Sequence, residues 1–147
     1  MDGALKVSDA AGLAIHAAAG VARHGADAPV TVSQLATLLE ASAAHLGKVL
    51  HRLARARIVS SKRGPKGGFV LGPRAASATL LDVYELFDGP LGHSHCLLGL
   101  AACPFGACAP GHGIEQANEQ LRTMLASQRI ADLAHAGPAG RATRRKR

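Results

Sequence analysis

Aromatic side chains are the first shortage in this 147-residue chain: Trp is absent, and one Tyr and three Phe bring the aromatic share to 3%. Val and Ile are sparse beside Ala and Leu, so a core built of sheet is not expected and helices are. Acids are missing from one long stretch. Residues 42–74 contain eight Lys or Arg and no Asp or Glu. Long apolar runs are missing too. The nearest thing to one, AAGLAIHAAAGVA, contains His16, lacks the basic segment that precedes a secretion signal, and is too short to cross a bilayer. Cysteines number only three, and all fall between residues 96 and 108. That odd cluster is no secreted disulfide framework, and a bacterial-type cytoplasm without membrane attachment is expected. No Ser/His/Asp set or carboxylate pair stands out, and RGPKGG lacks the Gly-Lys-Ser/Thr ending of a phosphate loop, so catalysis is not expected.

What is present is charge in blocks. The formal net charge is +7, yet residues 75–134 hold six acids against two Arg, while the last seven residues, RATRRKR, add five cations. A basic block, a mildly acidic block and a basic tail suit one surface facing a polyanion, and nucleic acid is the first candidate.

The chain is organised around residues 42–71. In SAAHLGKVLHRLARAR, Leu46, Val49, Leu50 and Leu53 form an apolar stripe at helical spacing, and His45, Lys48, His51, Arg52 and Arg55 lie off it. IVSSK and GFVL then alternate like strands around KRGPKGG, a Gly-Pro hairpin tip with three cations. Ahead of this unit, Ser8 caps a helix over 8–24, and Thr31 caps a short helix, VSQLATLLE, followed by a turn at Ala41-Ser42 in which Ser42 can cap the basic helix. Short helix, turn and basic helix follow the helix-turn-helix plan, and the hairpin supplies a wing. Thr79 and Asp82 form a capping-box pattern opening a helix through Phe87, which Asp88-Gly89-Pro90 stops. Residues 90–112 have no period and read as a long loop, of the kind that either has a function or is disordered. From about Ile114, Ala117, Leu121, Met124 and Leu125 mark a long amphipathic helix suited to docking on a second copy, and Ile130–Leu133 add a short final helix.

The fold expected is therefore mainly α: a winged helix-turn-helix with a small two-stranded wing, followed by a sensor loop and a long dimerisation helix. The divisions are a DNA-binding domain over 1–75, sensor loop and dimerisation helices over 76–134, and a disordered basic tail over 135–147.

Several segments resemble the IscR/NsrR-type winged-helix regulators (the Rrf-two superfamily). They are LKVSDAAGLAIHAAA, LARARIVSSKRGPKGGFVL, TLLDVYELFDGPL running into CLLGLAAC, and, at the dimer helix and closing segment, NEQLRTML and RIADLA. The similarity covers roughly residues 4–134, and the RGPxGGF wing together with the cysteines makes it specific. It implies a homodimeric cytoplasmic transcription factor, commonly a repressor. Many members carry an iron–sulfur cluster that sets DNA affinity in response to iron, cluster supply, oxygen or nitric oxide.

By position, Ser42, Ala43, His45, Lys48 and Arg52 should face duplex DNA, with Ser42 and Ala43 at the helix N-terminus, where base edges are easiest to reach. Lys48 and Arg52, one turn apart and obligatory donors, suit phosphate or guanine. Arg63 resembles the family's minor-groove arginine, and Lys62 and Lys66 suit phosphates. Two protomers imply a pseudo-palindromic operator.

Cys96, Cys103, Cys108 and His112 place three thiols and an imidazole within one short span, a donor set for an iron–sulfur cluster (2Fe–2S or 4Fe–4S), Zn²⁺ or Cu(I). Three cysteines leave one coordination position to another group. His112 resembles the histidine that follows the third cysteine in cluster-assembly regulators, one residue further on. Asp9 matches the position from which nitric-oxide-sensing relatives supply an aspartate of the partner subunit. His93 and His95 read as solvated loop histidines. Besides cluster sensing, two alternatives stand: a metal-free thiol switch, and a structural Zn²⁺ site in a DNA-binding module.

Overall fold

Each helix begins on a side chain that caps it, as the sequence leads one to expect, except the last long one. In this computed structural model, which describes residues 6–92, 96–97, 100–106 and 110–135, α1 spans Asp9–His24, and the Ser8 hydroxyl accepts the Ala11 N–H at 3.1 Å. The buried face of α1 is small, made of Ala11, Ala14, Ala17, Ala18, Val21 and Ala22, so neighbouring helices approach its backbone closely. At Gly20 an added Cβ would stand 2.6 Å from the Leu35 side chain. α1 is the central element, packed by the helices Ala43–Arg55 and Leu80–Asp88 and by the closing 3₁₀ helix Ala131–His135.

α2, Val32–Leu38, starts on a capping box between Thr31 and Gln34 and stops two residues short of the expected Glu40. Glu40 takes a left-handed conformation, φ 49°, which ends the helix and makes the turn. α3, Ala43–Arg55, is capped by Ser42 and buries Leu46, Val49, Leu50 and Leu53, the stripe read from the sequence. Its exit is a second left-handed residue, Arg57, φ 62°.

The wing is β1, Val59–Lys62, antiparallel to β2, Gly68–Leu71, in the register Val59↔Leu71 to Lys62↔Gly68. Val30 joins it through a bridge to Phe69, with reciprocal N–H···O bonds of 2.9 and 2.8 Å. Gly68, φ 153°, lies where a Cβ would come within 2.6 Å of the Val30 carbonyl oxygen, so only glycine allows this approach.

α4, Leu80–Asp88, opens on the Thr79/Asp82 capping box and runs one residue past Phe87 before Gly89 stops it at φ 81°. α5, Gly111–Ser127, begins three residues earlier than expected. Pro110, φ −83°, is already close to helical geometry and its carbonyl accepts the Ile114 N–H at 3.0 Å. After α5 the chain returns to the entrance of α4: Leu80 N–H donates to Gln128 O and Ile130 N–H to Ala78 O, both at 2.9 Å. Ile130 is fully buried there, and Ala131–His135 form the 3₁₀ helix. One apolar core runs through α1, α3, the wing base, α4 and Ile130, continuous across residue 75. Among the described residues, no helix is long and apolar enough to cross a membrane.

Candidate nucleic-acid interface and cysteine loop

The apolar stripe of α3 turns inward, and that fixes what turns outward. Ser42, Ala43, His45, Lys48 and Arg52 are all exposed, as are Lys62, Arg63 and Lys66 at the wing. The tip that carries these last three is held by Gly67, whose N–H donates to the Gly64 carbonyl at 2.9 Å. A Cβ on Gly67 would stand 2.4 Å from the Lys62 carbonyl oxygen, so the tip depends on glycine there. The helix and wing are also joined at the surface: the His51 ring meets the Phe69 ring edge-on, centroids 6.2 Å apart. Along the second half of α3, Lys48, His51, Arg52 and Arg55 line an open groove floored by Ala56 and Leu86.

Arg52 does not simply project into solvent. Its guanidinium lies over the Phe87 ring of α4, with Cζ 4.7 Å from the centroid. Sequence reasoning missed Phe87. The available signal was the scarcity of aromatics, because Tyr84 and Phe87 bring two of the four into a single helix.

The same turn of α4 holds three other segments. Tyr84 donates its hydroxyl to the Lys6 carbonyl at 2.7 Å. Burial, then the nearby Asp88 and Glu85 carboxylates, push its phenol above the usual range. Asp88 accepts the Ser8 N–H at 2.8 Å and also the Ser8 hydroxyl. Glu85 accepts the Leu91 N–H at 3.2 Å and lies 3.9 Å from Arg122 of α5, which donates to the Leu91 carbonyl. Leu91 itself is buried, so the root of the cysteine loop is bolted to both α4 and α5.

Beyond that root, Cys96 and Cys103 are partly exposed. Cys108 lies outside the described residues, as do His93, His95 and the basic tail from residue 136. His112 is exposed in the first turn of α5 instead of on a loop, and Asp9 is exposed in the first turn of α1. Among the described residues, no group of three or more His, Cys, Asp or Glu is gathered where it could hold a metal ion. The expected apolar face of α5 is divided. Leu125 is buried and Leu121 partly buried, whereas Met124 is half exposed and lines a shallow outer groove together with Gln116, Gln120 and Thr123.

A helix-turn-helix with a two-stranded wing, presenting eight exposed candidate contacts and no acid between residues 42 and 74, defines a winged-helix DNA-binding protein. The Rrf2 family, described as iron-dependent transcriptional regulators, matches residues 7–136, and the chain belongs to it. An HTH-type transcriptional regulator of Aquifex aeolicus is 31% identical over 110 residues, which cover 73% of this chain and 76% of that one. IscR of Xenorhabdus nematophila is 27% identical over 121 residues, 82% of this chain and 73% of its own. Among solved structures, the global cysteine regulator CymR of Bacillus subtilis superposes with a TM-score of 0.73 at 22% identity, covering 91% of this chain and 99% of that chain. That likeness shows the shared fold.

Proposed function

We propose that this transcriptional regulator is a homodimeric cytoplasmic repressor whose operator affinity is set by an iron–sulfur cluster in the 90–112 loop. The observation that carries DNA binding is the acid-free exposed surface formed by α3 and the wing. Ser42 and Ala43 lie where base edges are easiest to reach and His45 faces the duplex beside them, while Lys48 and Arg52 suit phosphate or guanine, Lys62 and Lys66 suit phosphates, and Arg63 suits a narrow minor groove. A two-fold dimer calls for a pseudo-palindromic operator with half-sites about one DNA turn, roughly 34 Å, apart.

Donor chemistry supports the sensing half. Cys96, Cys103 and Cys108 would hold the cluster, with His112 or Asp9 as the further donor, because soft thiolates on one loop suit iron–sulfur ligation. Such a cluster, when bound, supplies a centre whose integrity responds to iron, oxygen or nitric oxide. The chain does the rest. Glu85 and Arg122 hold the loop root, and α4 packs on α1 and meets α3 where Phe87 lies under Arg52. The family's description as iron-dependent and the likeness to IscR favour this reading.

A second reading, a metal-free thiol switch, is favoured by the partial exposure of Cys96 and Cys103 and by the likeness to the CymR regulators, that of Staphylococcus aureus having been crystallised in an oxidised form. Purification without oxygen, a visible spectrum, and iron and sulfide assays separate the two. Brown protein with matched iron and sulfide supports the cluster, and His112→Ala and Asp9→Ala then identify the further donor. Colourless protein that resists reconstitution with ferrous iron and sulfide overturns it, and zinc content and thiol counts then choose between thiol switch and structural zinc. Selection of duplexes from a random pool tests the DNA-binding half separately.

A further inference from the structure

We propose that Phe87 is a positioning residue for DNA binding, fixing the Arg52 guanidinium so that its edge is presented to a backbone phosphate at the groove beside α3. The inference rests on the DNA-binding reading above and goes beyond it by adding a residue that never reaches the duplex. A guanidinium uses its two surfaces differently. The face stacks on aromatic rings, whereas the N–H donors all lie in the plane and point outward from the edge. With Cζ 4.7 Å from the Phe87 ring centroid, a guanidinium lying face-on gives one face to the ring and keeps its hydrogen-bonding fork open. Arg52 is exposed, so an unstacked side chain would sample many rotamers and lose that freedom on binding phosphate. The ring removes part of that loss beforehand.

The neighbours of the stack give it a direction. Lys48, His51 and Arg55 share the groove with Arg52, so the local charge is positive and no carboxylate lines the groove to compete with phosphate. Phe87 is partly buried and packs on the core, which makes it a firm platform. It also lies in the turn of α4 whose Glu85 holds the loop root and whose Asp88 holds Ser8. Arg52 thus takes its position from the part of the fold that the cysteine loop is anchored to, and not from α3 alone.

The test uses the full reduced chain and the duplex that the wild-type protein selects from a random-sequence pool, with affinity read by fluorescence anisotropy. Phe87→Leu keeps an apolar side chain and removes the ring face; it should weaken binding about three- to five-fold, the value of one exposed cation–π contact. Phe87→Tyr keeps the face and should bind as wild type, within about two-fold, which is the result a purely space-filling role would not require. In an Arg52→Ala background, Phe87→Leu should cost nothing further, because its effect runs through the guanidinium. Arg52→Lys, which keeps the charge and loses the planar fork, should resemble Phe87→Leu. Equal losses from Phe87→Leu with and without Arg52, or an unaltered affinity, overturn the proposal and leave DNA binding standing. Failure of the wild-type protein to select any duplex overturns both.

Discussion

Removing the Asp88 carboxylate tests how the N-terminal end of α1 is held. Asp88 stands in the last turn of α4 and accepts two hydrogen bonds from Ser8, one from the backbone N–H at 2.8 Å and one from the hydroxyl. The Ser8 oxygen is thereby oriented to accept the Ala11 N–H, so one carboxylate sets the cap of the central helix. Hydrogen bonds to a charged group contribute about 1.5–3 kcal/mol each, and partial exposure places these at the lower end. Against them stands an acid at the negative end of the α4 dipole, which costs about 0.3–1 kcal/mol. Asp88→Ala should therefore destabilise the fold by about 2 kcal/mol, a fall in Tm of about 4–8 °C for a chain of this size. Asp88→Asn can still accept the hydroxyl but offers an NH₂ to the Ser8 N–H, and about half the loss is expected. Urea unfolding of the two variants, beside Asp27→Ala at an exposed site, measures both quantities. An Asp88→Ala protein within about 0.5 kcal/mol of wild type, the range of inert surface changes, would refute the reasoning.

Four further outcomes are expected. Gly72→Ala places a Cβ 2.3 Å from the Arg57 carbonyl oxygen and 2.9 Å from the Ile58 carbonyl carbon, both backbone atoms that cannot yield. A loss of about 1–3 kcal/mol in urea unfolding should follow, together with weaker DNA binding as the wing base shifts. Tyr84→Phe removes the bond to the Lys6 carbonyl and should cost about 1 kcal/mol at neutral pH. Because the folded state raises this phenol above its ordinary 10.0, the wild-type fold loses stability as pH rises from there through the raised folded value. Tyr84→Phe should lack that part of the alkaline loss in a pH series of melts. Lys62→Ala or Lys66→Ala should weaken all duplexes alike and lower the salt dependence of log K by about 0.9 for each phosphate no longer neutralised, whereas Arg63→Ala should also relax preference for A·T-rich flanks. Leu50→Ala, fully buried in α3, should cost about 2–5 kcal/mol and melt the domain cooperatively.

Local chemistry was legible in the sequence. Ser8, Thr31, Ser42 and Thr79 cap the helices they were expected to cap, because a cap needs only an oxygen and an N–H a few residues away. The inward stripe of α3 and the wing hairpin were readable for the same reason, since period and turn chemistry are short-range. The start of α5 was misjudged because Gly111-His112-Gly113 has no apolar period; Pro110 was the signal, and it moves His112 from loop to helix. The long-range contacts could not be read at all. Ser8 and Asp88 are 80 positions apart, Lys6 and Tyr84 78, and Leu91 and Arg122 31, and such pairs exist only once the helices dock. Of the candidate metal donors, the sequence gives the types and spacing but not a common location, and Cys108 lies outside the described residues.

Helix geometry explains why so much converges on so short a segment as Tyr84–Asp88. At about 100° per residue, Tyr84 and Asp88 return to one face of α4, and both hold residues 6–8 at the entrance to α1. Glu85 is rotated away from them and meets Leu91 and Arg122, while Phe87 is rotated the other way and meets Arg52 on α3. The four side chains share one rigid turn, so their partners cannot be moved independently. In the sensing reading proposed above, a displacement of the loop root would reach α4 through Glu85. Turning α4 must either break the Ser8 and Lys6 bonds or carry Phe87 away from the Arg52 guanidinium.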